Sequence, residues 1–178
     1  METYTRRTGA TVTVQDDPAA RELLRRAFEK TARWSHDFPG FTASLIAHDN
    51  GAEHRGTLNV TPPQRVDVSL ADAAMQPWVQ QQLASLVGHR AYRTFEQSDG
   101  KYVLTLGAAD DHPLGRLIDI HGDGMNSRYR VRDDRICQIQ RTMERVKFTI
   151  TIEDTTATLA GTVLTTRFTV YFFAPDTG

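Results

Sequence analysis

Residues 116–153 read RLIDIHGDGMNSRYRVRDDRICQIQRTMERVKFTITIE, and this stretch decides the fold. Polar and apolar residues alternate through it, the period of a β-strand with one buried face. Residues 147–153 alternate most cleanly, with Phe148, Ile150 and Ile152 on one face and Thr149, Thr151 and Glu153 on the other. Turn residues divide the run. Asp123-Gly124 joins a strand at 116–121 to one at 127–132, and Asp133-Asp134 leads into a strand at 136–143.

Strand signals extend in both directions. Upstream, 92–97 and 101–107 flank Asp99-Gly100, and downstream 163–173 is a last, long strand. Nearer the N-terminus, 41–48 and 54–60 flank Asp49-Asn50-Gly51, where Asn-Gly supplies the positive φ angles of a tight hairpin. Pro62-Pro63 ends that pair, and 65–70 is a further short strand.

Two helices interrupt the strands. Asp17-Pro18 opens the first, with Asp17 as N-cap and Pro18 at the first helical position, where its missing N–H costs nothing. Ala20, Leu23, Leu24, Ala27, Phe28 and Thr31 form its apolar face, and Phe38-Pro39-Gly40 is a breaker beyond it. The second is expected over 72–87, with Pro77 offering a start one turn later, an apolar stripe of Trp78, Val79, Leu83, Leu86 and Val87, and Gly88 as C-cap.

This pattern predicts an α+β fold: a curved antiparallel β-sheet forming a barrel or half-barrel of about nine strands with two covering helices, a β-sandwich being the alternative. Residues 1–16 are expected to be an N-terminal arm and 17–178 a single barrel-like domain.

Composition narrows the function. With 39% apolar and 24% charged residues over 178 positions, the chain is globular. A formal net charge of -1 lacks the basic field of a nucleic-acid binder. Cys137 is the only cysteine, so neither an intrachain disulfide nor a thiolate-rich zinc site is expected. No stretch approaches ~18 consecutive apolar residues, so no membrane span is expected, and the N-terminus lacks the apolar core of a secretory signal. These features predict a soluble, cytoplasmic protein. A Gly-x-Ser-x-Gly elbow, a P-loop and a dinucleotide fingerprint are all absent from the sequence. No cofactor is expected.

A set of segments carries a resemblance. They are 20–23 (AREL), 38–43 (FPGFTA), His89-Arg90, Asp99-Gly100, 112–116 (HPLGR), 127–132 (SRYRVR), Gln138, Arg141 and 148–150 (FTI). In this order they resemble DUF3386, a bacterial family of unknown function, from about residue 18 to the end. The resemblance implies no activity and no catalytic residue. The family pattern runs past Asp176-Thr177-Gly178, which leaves barrel closure open. At the level of fold analogy alone, the 38–43 entry into a hairpin is similar to the curved-sheet lipoprotein carriers.

The candidate site residues are polar groups on strand or helix-end positions. Asp119 and His121 share a strand face opposite Ile118 and Ile120; facing a wet interior they would act as orienter and base. His89 and Arg90 follow the second helix, where a cation caps the carbonyl end or lines a pocket mouth. Arg128, Arg130 and Arg132 share one strand face; with Arg116, Arg141 and Tyr129 they would bind a carboxylate, phosphate or enolate, or they would simply guard a solvated strand. Trp78 adds an apolar lining. His48 and His54, flanking the Asn-Gly turn, are a weak start for a metal site.

Two main readings follow. One is a small-molecule-binding protein with an apolar cavity that catalyses a cofactor-free isomerisation or cyclisation, with His89, His121 and Asp119 as catalytic residues. The other is a non-catalytic carrier of a lipid, pigment or other hydrophobic ligand. A domain with a filled core that binds only partners is a weaker third. The sequence leaves enzyme status and oligomeric state open.

Overall fold

The computed structural model describes residues 2–5 and 11–174. In chain order the elements are β1 (Glu2–Thr5), β2 (Thr11–Val14), α1 (Pro18–Lys30), β3 (Phe41–Asp49), β4 (Ala52–Thr61), β5 (Arg65–Leu70) and α2 (Gln76–His89). They continue as β6 (Val103–Leu106), β7 (Arg116–His121), β8 (Arg128–Arg132), β9 (Arg135–Thr142), β10 (Lys147–Ala157) and β11 (Val163–Phe173). The fold is α+β, with β6 to β11 in one antiparallel meander and β3-β4-β5 in a second sheet. Within the N-terminal stretch read as an arm, β1 and β2 pair as a ribbon.

The strands expected in one sheet are therefore shared between two. The chain divides into two compact units, Arg33–Tyr92 and Met1–Ala32 with Arg93–Gly178. Each has its own helix and its own core. Among the described residues neither sheet closes by hydrogen bonding: β6 and β11 are the edges of the larger one.

In the larger unit, α1 lies on one sheet face. Asp17 caps it, its Oδ1 accepting from Ala19 N at 2.8 Å. Both helix ends are tied to the sheet, Asp17 N to Leu104 O and Ala32 N to Val163 O, each at 2.8 Å. Ala20, Leu24, Ala27 and Phe28 are buried against Leu104, Ile118, Ile120, Tyr129 and Val131. Each large apolar side chain so buried contributes roughly 1.5–3 kcal/mol.

Alternation would place Ile136 and Ile139 on opposite faces, yet both pack against this core. A bulge resolves the conflict. Tyr129 pairs with Ile139 and Arg130 with Gln138, but Val131 pairs with Ile136, so Cys137 is the extra residue.

In the 33–92 unit, α2 packs its Val79, Leu83 and Val87 on Leu58, Val60, Val66, Val68 and Leu70. Two glutamines of α2 reach strand β5. Gln80 Oε1 accepts from Val68 N at 2.8 Å while its Nε2 donates to Val66 O, and Gln76 Oε1 accepts from Leu70 N at 3.1 Å. The side chains replace a missing strand and cover an edge.

Two expectations need correction. The segment 92–97 is a turn, because Thr94 and Gln97 form a reciprocal capping box: Gln97 N donates to Thr94 Oγ1 at 3.2 Å and Thr94 N to Gln97 Oε1 at 3.0 Å. Helix α2 starts at Gln76, not at 72, with Pro77 in its first turn; Asp72 instead caps the preceding turn, accepting from Ala74 N and Met75 N.

Candidate functional site

The two faces of the six-stranded sheet differ in chemistry, and the ladder register assigns every candidate residue of this unit to one of them. Asp119, opposite Arg128, lies on the face away from α1 together with His121, Arg130, Gln138, Gln140, Thr149 and Thr151. Its polar groups pair with each other. Arg128 Nε donates to Asp119 Oδ1 at 2.7 Å, and Thr105 Oγ1 lies 2.8 Å from His121 Nε2. With Ile118 and Ile120 packed in the core, Asp119 and His121 occupy the opposite face.

Arg130 and Arg132 on that face, and Arg116 at the start of β7 in phase with Ile118 on the other, hold a loop. Arg130 makes two bonds to the Asp110 carboxylate, at 3.1 and 2.8 Å, and a third to Gly115 O at 3.0 Å. Arg132 donates to Pro113 O, and Arg116 Nη1 to Ala108 O at 2.9 Å. The segment is itself a tight turn, Gly115 N bonding His112 O at 2.9 Å and Leu114 N bonding His112 Nδ1 at 3.1 Å. Gly115 has φ +90°, and a Cβ there would lie 2.2 Å from Val131 O, so glycine is required. The HPLGR and SRYRVR segments thus fit each other as turn and clamp.

Arg141 does not join that cluster. It lies on the α1 face, between Phe148 on β10 and the position of Ser127 ahead of β8. Its Nη2 donates to Tyr129 Oη at 3.3 Å, and Tyr129 Oη is 3.4 Å from Asp99 Oδ1. Arg141 to Tyr129 to Asp99 is therefore one donor–acceptor chain. Burial, and after it the Asp99 carboxylate, pushes the Tyr129 hydroxyl up to about 12, so the phenol remains a donor at neutral pH. Two atoms here are buried without a hydrogen-bond partner among the described residues, Arg141 Nε and Ser127 Oγ. Each such group costs about 1–3 kcal/mol and calls for an explanation.

Beside this polar group the same face becomes apolar and open. Register continues it from Arg141 to Phe148 and Phe172, and from Ile139 to Ile150 and Val170. Ile152 opposite Phe168 adds a third pair. The rings of Phe148 and Phe172 are 5.9 Å apart, and Phe172 is 60% exposed. Helix α1, tied at Leu104 and Val163, leaves this end of β10 and β11 uncovered.

The remaining candidates belong to the 33–92 unit. Trp78 is 60% exposed, because the stripe Val79, Leu83, Val87 turns α2 so that its neighbour points outward. His89 is exposed at the end of α2, and Arg90 is the C-cap, its guanidinium pulled below its ordinary range by burial. His48 and His54 do not oppose each other: His48 pairs with Glu53 and His54 with Ala47, and His54 Nδ1 is 3.5 Å from Asp72 Oδ2. Among the described residues no three His, Cys, Asp or Glu side chains gather as a metal site, and no helix is long and apolar enough to cross a membrane. This unit also carries an open cleft of about 710 Å³ between 35–39, 62–64 and Tyr92, where the rings of His36 and Tyr92 are 5.1 Å apart. None of its lining residues is buried.

Sequence reasoning singled out Arg141 and Tyr129 but missed Ser127, Asp99 and the apolar pairs beside them. The signal was present: Ser127 is in phase with Tyr129 and Val131, and Arg141 with Ile139, so both are polar residues at core-facing positions. The family described as "Protein of unknown function (DUF3386)" matches residues 15–178. No curated protein and no solved structure matches.

Proposed function

The chain belongs to the DUF3386 family, and we propose that its six-stranded sheet is one wall of a half-barrel that carries a largely apolar small molecule. The observation that carries this reading is the open apolar face of β10 and β11, continuous with the buried core yet left uncovered by α1. A contiguous exposed apolar patch on a folded protein marks a binding surface more often than chance. Register irregularities at Arg130/Val131 and at Ile152/Asp154 bend such a sheet and support the half-barrel form.

Carriage is favoured over turnover by the placement of the titratable groups. Asp119 and His121 sit on the opposite face against Arg128 and Thr105. A cofactor-free isomerisation needs a base in reach of the ligand, and on the α1 face the phenol keeps its proton and stands between Arg141 and the Asp99 carboxylate.

The test is titration with Nile red, an uncharged dye that fluoresces on apolar surfaces. The wild-type chain is expected to bind it. Phe172→Asp weakens binding at least about tenfold, as expected for loss of one aromatic contact, while Phe173→Asp on the other face leaves it unchanged. Absence of binding by the wild type, or equal loss in both variants, overturns the reading.

A further inference from the structure

We propose that Arg141 and Ser127 form the headgroup site for this ligand, and that the ligand is a long-chain carboxylic acid; the inference rests on the carrier reading above. One line of positions crosses the sheet. Arg128 pairs with Gln140, so Ser127 and Arg141 are the next residues beyond that pair on the two strands, and Thr142 N bonding Met125 O at 2.8 Å, one residue out of register, keeps the two segments side by side there. Arg141 then pairs with Phe148, and Phe148 with Phe172. Across neighbouring strands about 4.8 Å apart, the line runs from a hydroxyl to a guanidinium to a half-buried aromatic ring and then an exposed one. Polar head and apolar tail of a single ligand match that sequence of groups.

The polar end is built and incomplete. Ser127 is 2% exposed and its Oγ has no hydrogen-bond partner, and Arg141 Nε is buried in the same condition. Both are able to donate, and nothing among the described residues accepts from them. A carboxylate supplies two acceptor oxygens in one plane, the geometry a guanidinium edge recognises.

Charge selects the carboxylate over a phosphate. The site holds one guanidinium, a hydroxyl and a phenol that stays neutral, with the Asp99 carboxylate just behind the phenol. With the Asp99 carboxylate already present, the Arg141 guanidinium can meet one negative charge of a ligand, and a second adds to the anionic side.

The experiment compares palmitate, cetyl alcohol and cetyl phosphate by displacement of Nile red from the full chain. Palmitate is expected to bind at least about tenfold tighter than cetyl alcohol, the size of effect a charge-assisted hydrogen bond gives. Arg141→Gln removes that preference and leaves the alcohol unaffected. Ser127→Ala, a deletion of one oxygen that keeps the fold, lowers the preference as well. Equal binding of palmitate and alcohol by the wild type overturns the headgroup assignment while the carrier reading stands. Tighter binding of cetyl phosphate overturns the carboxylate. Failure of all three to displace the dye overturns the headgroup site, and failure of the dye itself to bind overturns the carrier reading with it.

Discussion

Tyr129 accepts a hydrogen bond from Arg141 at 3.3 Å on the buried face of the sheet, so a cation and a phenol share an environment that disfavours charge. The consequence is visible at alkaline pH. The folded protein holds the Tyr129 proton more tightly than the unfolded chain, where a tyrosine ionises near 10. Stability from this group is intact below about pH 10 and falls as pH rises through about 12. Ultraviolet titration is expected to show one tyrosine ionising near 12. Tyr129→Phe removes that step and costs about 1–3 kcal/mol through the partners it leaves at Asp99 and Arg141.

Arg130 gives a contrasting prediction. Its guanidinium is engaged by Asp110 and Gly115 on the face away from α1, so its task is to hold the 107–115 loop. Arg130→Ala is expected to lower unfolding free energy by about 1.5–3 kcal/mol and to leave Nile red affinity unchanged. A variant that folds normally but loses the dye would return Arg130 to the binding site.

Gly115→Ala tests the turn directly. A side chain there meets the Val131 carbonyl and must also adopt a positive φ. The backbone cost alone is about 1–3 kcal/mol, and the collision adds to it. Urea denaturation should show a midpoint well below wild type, whereas Gly122→Ala, with open space around its Cβ and the same sign of φ, pays only the backbone cost.

At the acid end the expected trigger is Asp16. Its carboxylate accepts from Arg21 at 2.7 and 2.6 Å and from Leu104 N at 2.9 Å, while Arg21 also reaches Gly100 O and Tyr102 O. The Arg21 hydrogen bonds hold the Asp16 carboxyl below its ordinary range. A depressed folded value stabilises above the unfolded value near 3.9, and that stability is lost as pH falls through the folded value. Asp16→Asn is expected to be less stable at neutral pH and to show a flatter decline below pH 4. An unchanged acid limb would assign the transition to other carboxylates.

Much of this was legible in the sequence because it depends on local rules. Asp17-Pro18 set the start of α1, and alternation alone placed Phe148, Ile150 and Ile152 together on one face. Arg128, Arg130 and Arg132 were read as one row, which the register bears out. What failed to appear was long-range. Alternation cannot say whether consecutive hairpins join one sheet or two, and it cannot say which face a helix covers. The capping box at Thr94 and Gln97 was readable, but the strand-favouring residues Tyr92, Thr94 and Phe95 concealed it. Arg141, in phase with Ile139, was grouped with the arginines of β8, which lie on the other face, and Ser127 was not singled out.

Cys137 has a consequence of a different kind. As the extra residue between Ile136 and Gln138, it has no partner across the ladder to β8. Deleting it would restore strict alternation, with Ile136 and Ile139 still sharing a face, so by pattern alone the shortened strand would be the more regular one. The local bend is thus specified by residue count and not by residue type. Substitutions at position 137 should be tolerated over a broad range of chemistry, whereas loss of the position should straighten the strand and alter the width of everything built on it. Adding or removing a single residue here changes the shape of the sheet with no change of alphabet.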